Sequence, residues 1–525
     1  MSKPLAGFGQ ILRHDIRLDR VRLPFWVIGI LVLPLSAFGT YDFLFPTVEQ
    51  QANANLTVGT NPSLLFLFGP SDLSTAGGFT TFRSAVFGGI FVAIMAIMTV
   101  VRHTRAEEDA GRAELVMSAR VGRLTFLVAA VTLASIAALL AGALTSVGLI
   151  ALGADAGGAA ALGASLTLTG FMFAGVAAVA VQIGAYARTA TSISLGLLGG
   201  FYLLRAWGDS STDLSWVSWL SPLGWAVKVQ AFSGNDLLPL LLLLVGGGGA
   251  LAVGIILRGR RDLGMGIMPP RDGRPDAPRY LSSGVGLATR LQGPGLIAWG
   301  IGLMVAGTII GSISGSLSDV LGDSGFGTAF AGDADFASVF LAALISLIGI
   351  LAAAYGVQAS LRARSEETDE RVEPLLATPL SRVRWFGGHL LFAFGGSALV
   401  ILAAGVTLGL SAQASGTQVS VAEVVGAAAT QVAAIWVLVG IATALVGLLP
   451  RLAFLAWPAV AISFVLTIFG PLLNVDEMVL AISPFYHLPD LPGAAFEAGP
   501  VLALFGVATA LLLAGLVGIR RRDIH

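Results

Sequence analysis

The sequence predicts an all-α polytopic membrane protein with twelve transmembrane helices, arranged as two parallel six-helix repeats with both termini cytosolic. Three observations lead there. Of 525 residues, 55% are hydrophobic and only 12% are charged, about half the charged share of a soluble domain. The apolar residues fall in twelve long runs rather than in short alternating or amphipathic patterns. The basic residues lie where a membrane-spanning chain places them. An ordinary soluble enzyme is thereby excluded. A net charge of −1 offers no nucleic-acid surface, and the absence of cysteine removes disulfides, thiolate metal sites and a cysteine nucleophile together.

The runs lie near 24–41, 84–101, 124–153, 158–186, 190–206 and 237–257, then 295–314, 336–361, 385–412, 421–448, 452–471 and 498–519. Crossing a hydrocarbon core takes about 20 helical residues, and a helix satisfies its own backbone hydrogen bonds there. Before the first run stand Arg13, Asp15, Arg17, Asp19, Arg20 and Arg22, a lead too polar for a cleaved signal peptide, so the first span is read as retained. With the N-terminus inside, only Arg83, Arg205 and Lys228 of the 30 Lys and Arg residues fall on the outer side. That bias supports an even number of spans.

The two halves repeat. RAEEDAGRAELVMSARVGR at 105–123 returns as RSEETDERVEPLLATPLSR at 364–382. At an offset of 259, Arg105, Glu107, Glu108, Arg112, Glu114 and Arg123 fall on Arg364, Glu366, Glu367, Arg371, Glu373 and Arg382. Ser221-Pro222 matches Ser483-Pro484, and Arg260-Arg261-Asp262 near the end of the first half matches Arg521-Arg522-Asp523. The expected organisation is a first six-span repeat over 1–263, a linker with a second amphipathic lead segment over 264–294, and a second repeat over 295–525. The Arg-, Pro- and Gly-rich linker is expected to be mobile and cytosolic.

The duplicated charged segment follows the second span of each half. Glu108 with Arg112, and Glu367 with Arg371, stand at i,i+4 in the favourable order. Seen once, such a segment reads as a solvated turn; repeated with matched charges, it reads as an element that docks a partner. An arginine, paired glutamates, a short gap, then Glu, Leu or Pro, Leu and a basic residue resembles the coupling-helix motif of ABC exporters with the type-2 permease fold. The duplicated twelve-span form, with FGPSDLSTAGGFT at 68–80, is similar to actinobacterial permeases that export polyketide antibiotics. The second copy departs from the first in carrying Asp369-Glu370 where the first has Ala110-Gly111. The resemblance implies a membrane subunit moving amphiphilic small molecules outward, docked through Glu107, Glu108, Arg112, Glu114, Glu366, Glu367, Arg371 and Glu373 onto a separate ABC ATPase, in two copies. It also implies that ATP and Mg bind the partner subunit, with no cofactor on this chain. The chain's own residues agree, because a phosphate-binding P-loop needs a lysine after glycine, and neither Lys3 nor Lys228 follows one.

Two other classes compete. A proton-coupled antiporter needs an ionisable relay inside the membrane, and none of the 31 Asp and Glu residues falls in the middle of a span. A non-transporting scaffold for an ATPase is the other. For substrate, Phe87, Phe91, Met95 and Met98 on the second span, with Tyr202 on the fifth, form a candidate apolar pathway that methionine would make adaptable. The plainer reading of that stripe is core or lipid contact. Gln431 falls mid-span, where it bonds a neighbouring helix or touches substrate. Arg205 is read as snorkelling to the outer interface or lining an exit vestibule. Trp207, Trp216, Trp219 and Trp225 are read as interface anchors or part of an outer gate.

Overall fold

The computed structural model describes the chain except for residues 1–3, 58, 60–61, 119–120, 211–212, 263, 269–275, 277, 322–335, 470–475 and 524–525. Its described residues hold α, 3-10 and π helix and no strand. Eleven helices among them are long and apolar enough to cross a membrane. The remaining run, 190–206, lies inside a 23-residue helix that carries Arg188 and Arg205 and is not one of the eleven. The chain divides into two compact units, Met1–Gly273 and Arg274–His525.

In the first unit an amphipathic helix α1 (Phe8–Leu18) leads into α2 (Arg22–Leu44), followed by short α3 (Val48–Thr57) and α4 (Pro62–Phe68). Helix α5 (Ala76–Arg102) starts where the Thr75 side chain accepts from the Gly78 N–H, satisfying a donor the helix cannot use. Two short helices, α6 (Arg105–Asp109) and α7 (Arg112–Met117), precede α8 (Thr125–Ala151), α9 (Ala156–Ile183) and α10 (Ala187–Asp209). Asp155 caps α9 through the Gly158 N–H. Short α11 (Pro222–Lys228) and long α12 (Leu238–Arg260) complete the unit. Without a hydrophobic drive between helices in lipid, close approach depends on small residues. A Cβ on Gly142 would lie 2.2 Å from the Gly163 carbonyl oxygen, so α8 and α9 touch backbone to backbone. In the glycine run of α12, Gly247 packs against Phe171 and Gly246 against Met172, while Gly248 and Gly249 face open space.

The second unit holds α13 (Gly284–Leu321), α14 (Phe336–Thr368), short α15 (Val372–Leu376), α16 (Arg382–Leu390), a π turn (Leu391–Gly395), α17 (Gly396–Ala414), α18 (Val421–Leu448), α19 (Ala456–Phe469), short α20 (Glu477–Leu480) and α21 (Ala498–Arg521). A capping box between Ser420 and Glu423 opens α18. Helices α18 and α21 pack through Thr443, Gly447, Gly515 and Gly518, where an added Cβ on Gly447 would meet the Gly515 carbonyl oxygen at 2.2 Å. The lead segment of this unit is not a separate helix as in the first: it continues through Pro294 into α13.

The Ser-Pro repeat opens a short helical turn in both units, but its serine is used differently in each. Ser221 is fully buried, donates to the Phe201 carbonyl of α10 at 2.7 Å and caps α11. Ser483 is buried 3.0 Å from the Thr467 hydroxyl of α19 and precedes a single 3-10 turn, Pro484–His487.

Candidate functional site: a duplicated ionic clasp under the charged segments

The charged segment is not one helix. Gly111, at φ 71°, separates α6 from α7. The i,i+4 pair expected between Glu108 and Arg112 does not form, because the left-handed residue turns Arg112 away. Arg112 instead holds Glu107 through two hydrogen bonds of 2.8 and 2.7 Å. Those bonds raise the exposed guanidinium above its ordinary pKa. The second copy breaks at the same place: Glu370, aligned with Gly111, takes φ 57°. The expected Glu367–Arg371 pair is likewise replaced, by Arg371 with Glu366 at 3.6 Å and with Asp369 at 3.4 Å.

Glu108 points inward, its side chain only 7% exposed. It meets Arg105 at 2.5 Å, Arg261 at 2.8 Å through both oxygens, and Arg258 at 3.8 Å. Arg105 is fully buried and donates to the carbonyls of Ala185, Gly264 and Met265. Arg261 also donates to the Gln182 side chain at 2.6 Å, and Arg123 donates to the Arg261 carbonyl at 2.5 Å. One carboxylate thus ties together the end of α5, the end of α9, the end of α12 and the approach to α8. A bidentate guanidinium–carboxylate pair fixes orientation as well as distance.

The second unit repeats the arrangement. Glu367 accepts from Arg364 at 2.8 Å and from both terminal nitrogens of Arg522. Arg382 donates to the Arg522 carbonyl at 2.7 Å, as Arg123 does to Arg261. Arg362 pairs with Glu366 at 2.8 Å. The charged segment is therefore bolted, in each unit, to the last long helix of that unit. Removing one partner of such a buried pair costs about 3–5 kcal/mol.

Of the eight residues expected to meet a partner, Glu366 and Glu367 are buried in these ion pairs, Glu108 has its side chain turned into its pair at 7% exposure, and Glu107 is half-buried. Arg112, Glu114, Arg371 and Glu373 are exposed. Beside Glu114 the apolar Leu115 is 77% exposed. The outward face of α7 and α15 is thus exposed, while Glu108, Glu366 and Glu367 turn into the clasp. The clasp residues Arg105, Arg123, Arg261, Arg364, Arg382 and Arg522 had a signal in the sequence, the matched Arg positions of the repeat, read there as duplication and, in the charged segments, as part of a docking motif, not as buried partners of Glu108 and Glu367. The linker's start is also pinned: Ile267 donates to the Gln182 carbonyl at 2.9 Å and Met268 to that of Ile183 at 3.2 Å. Residues 269–275 and 277 of the expected mobile linker lie outside the described residues.

The candidate pathway residues do not share one surface. Phe91 and Met98 are exposed on α5, and Phe87 is half-buried with its ring 5.4 Å from that of Phe68. Met95, turned about 80° from Phe87 by helical geometry, is fully buried beside Val27 and Ile30 of α2 and Ala137 and Ala138 of α8. Tyr202 packs with Ala85, Val86 and Val227. Gln431 is buried, its amide 3.4 Å from the Ser346 hydroxyl of α14 and its carbonyl oxygen without a hydrogen-bond partner among the described residues. Arg205 neither snorkels nor lines a vestibule. It is fully buried, donates to the Phe66 and Leu67 carbonyls at the end of α4 at 3.0 and 3.1 Å, and lies 3.4 Å from Asp209. Trp207 and Trp216 are exposed, and Trp225 donates to the Trp219 carbonyl at 2.6 Å.

These features sit on a chain whose relatives are permeases. The family described as multidrug efflux system permease Rv1217c, C-terminal domain, matches residues 14–257 and 281–520. The multidrug efflux system permease protein Rv1217c of Mycobacterium tuberculosis is 35% identical over 523 residues, covering 98% of this chain and 95% of its own. With eleven helices among the described residues able to span a bilayer, the chain is a multi-pass protein of the bacterial plasma membrane, and it belongs to the Rv1217c family of multidrug efflux permeases.

Proposed function

We propose that the chain is the membrane subunit of an ATP-driven exporter of the type-2 ABC class, moving amphiphilic small molecules such as drugs or polyketide antibiotics out of the cell. It has twelve spans, two parallel repeats and both termini cytosolic. Two copies of a separate ATPase dock on the outward faces of α7 and α15 and carry the ATP and Mg. The single observation that most supports this reading is the duplicated clasp. A push on a charged segment cannot be absorbed locally when a buried carboxylate ties it to the unit's last long helix. It passes instead to the bundle, the kind of two-state coupling that alternating access needs. Phe87, Phe91, Met98, Tyr202 and Gln431 remain the residues proposed to meet substrate.

The test is reconstitution. The purified chain alone should hydrolyse no ATP. With its cognate ATPase it should form a stable complex whose hydrolysis rises when an amphiphilic substrate is added. Hydrolysis by the isolated chain, or failure to hold any ATPase, would contradict the proposal.

A further inference from the structure

A cavity of about 280 Å³ opens in the first unit between the N-terminal ends of α2 and α10 and the C-terminal end of α5. Three arginines, Arg22, Arg102 and Arg188, line it beside one acidic residue, Asp19. That carboxylate is already engaged: one oxygen is 2.7 Å from the His103 ring and the other 3.3 Å from Arg102. Arg22 and Arg188 are exposed and have no ion-pair partner among the described residues. The inner wall is apolar, with Leu23 and Trp26 from α2 and Met98 from α5. Helix N-termini favour anions, and the α5 C-terminus, which does not, carries Arg102 in its last turn. In the second half the residue aligned with Arg102 is Leu361 and that aligned with His103 is Arg362.

We propose that this cavity binds the phosphate-bearing headgroup of an anionic membrane lipid. Arg22 and Arg188 hold the phosphate, Arg102 backs it, and the upper acyl chain lies along Leu23 and Trp26. Basic pockets between spans at the charged side of a membrane protein suit such headgroups. The apolar wall is what separates a lipid from free phosphate, because an inorganic ion gains nothing from it. The site does not depend on which molecule the permease exports.

The experiment titrates delipidated full-length protein in detergent with phosphatidylglycerol, phosphatidylcholine or inorganic phosphate, and counts bound lipid by native mass spectrometry. Phosphatidylglycerol should bind in preference to phosphatidylcholine, and millimolar inorganic phosphate should not displace it. The Arg22→Gln/Arg188→Gln variant should lose about tenfold or more in affinity, the scale of charge-assisted hydrogen bonds. Both residues are exposed, so this variant should keep the wild-type melting temperature. An independent reading needs no loss of charge: phosphatidylglycerol brominated on its upper acyl chain should quench a fluorescence component that Trp26→Phe removes. Equal binding of the two lipids, unchanged affinity in the double variant, displacement by inorganic phosphate, or quenching indifferent to Trp26 would each overturn the proposal.

Discussion

Glu108 and Glu114 stand six residues apart in one charged segment, yet they belong to different physics. The first is enclosed by Arg105, Arg258 and Arg261; the second faces solvent beside Leu115. Glu108→Gln removes the countercharge of three buried guanidiniums and should destabilise the first unit by about 3–5 kcal/mol. Thermal unfolding in detergent would read this as a clear drop in midpoint, with Glu367→Gln doing the same for the second unit. Glu114→Arg breaks no ion pair among the described residues and should leave the midpoint unchanged while weakening capture of the ATPase. Equal midpoints for Glu108→Gln and wild type would mean that the clasp bears no weight.

At the scale of the element, the break between α6 and α7 decides which side chains point in. A left-handed φ costs a non-glycine residue about 1–2 kcal/mol, and the second copy bears that cost at Glu370. Glu370→Gly should therefore raise stability by about 1 kcal/mol, and Gly111→Ala, which meets open space, should lower it by a similar amount. Opposite shifts in unfolding midpoint would check both, and a fall in both variants would contradict the shared break. The segment's existence, its two copies and its charges were legible from sequence, because repeated residue types leave a visible pattern. Its pairing was not. An i,i+4 rule assumes an unbroken helix, and the alignment of Gly111 with Glu370 hid a shared backbone turn behind two unlike residues. Arg205 was misread for a related reason: a lone cation near a span end is usually solvated, and nothing local announces the α4 carbonyls that enclose it. The pathway stripe at 87, 91, 95 and 98 drifts round its helix, so Met95 turns into the core while Phe91 and Met98 stay outside.

For the whole molecule, hydropathy and arginine placement were enough for the membrane class, since burial in lipid constrains composition more severely than any packed core does. Eleven of the twelve expected runs are long, apolar helices in the structure, and the exception is the helix whose Arg188 and Arg205 lower its hydrophobicity. The two clasps are chemically matched but not identical. Glu108 is surrounded by three guanidiniums and Glu367 by two. Charge reversal of the exposed pair should show whether both docking faces serve: Glu114→Arg alone and Glu373→Arg alone should each reduce substrate-stimulated ATP hydrolysis, and the double variant should abolish it without loss of folded protein. Full hydrolysis in either single variant would reduce the docking to one face.

The central claim is that ATP, not a proton gradient, drives export through this chain. The direct measurement is uptake of a fluorescent amphiphile into inverted vesicles containing the permease and its ATPase. Accumulation is expected with ATP and an uncoupler, and none with a proton gradient in the absence of nucleotide, because no span holds a carboxylate at its middle to relay a proton. Accumulation under the gradient alone, with none under ATP and uncoupler, would contradict it.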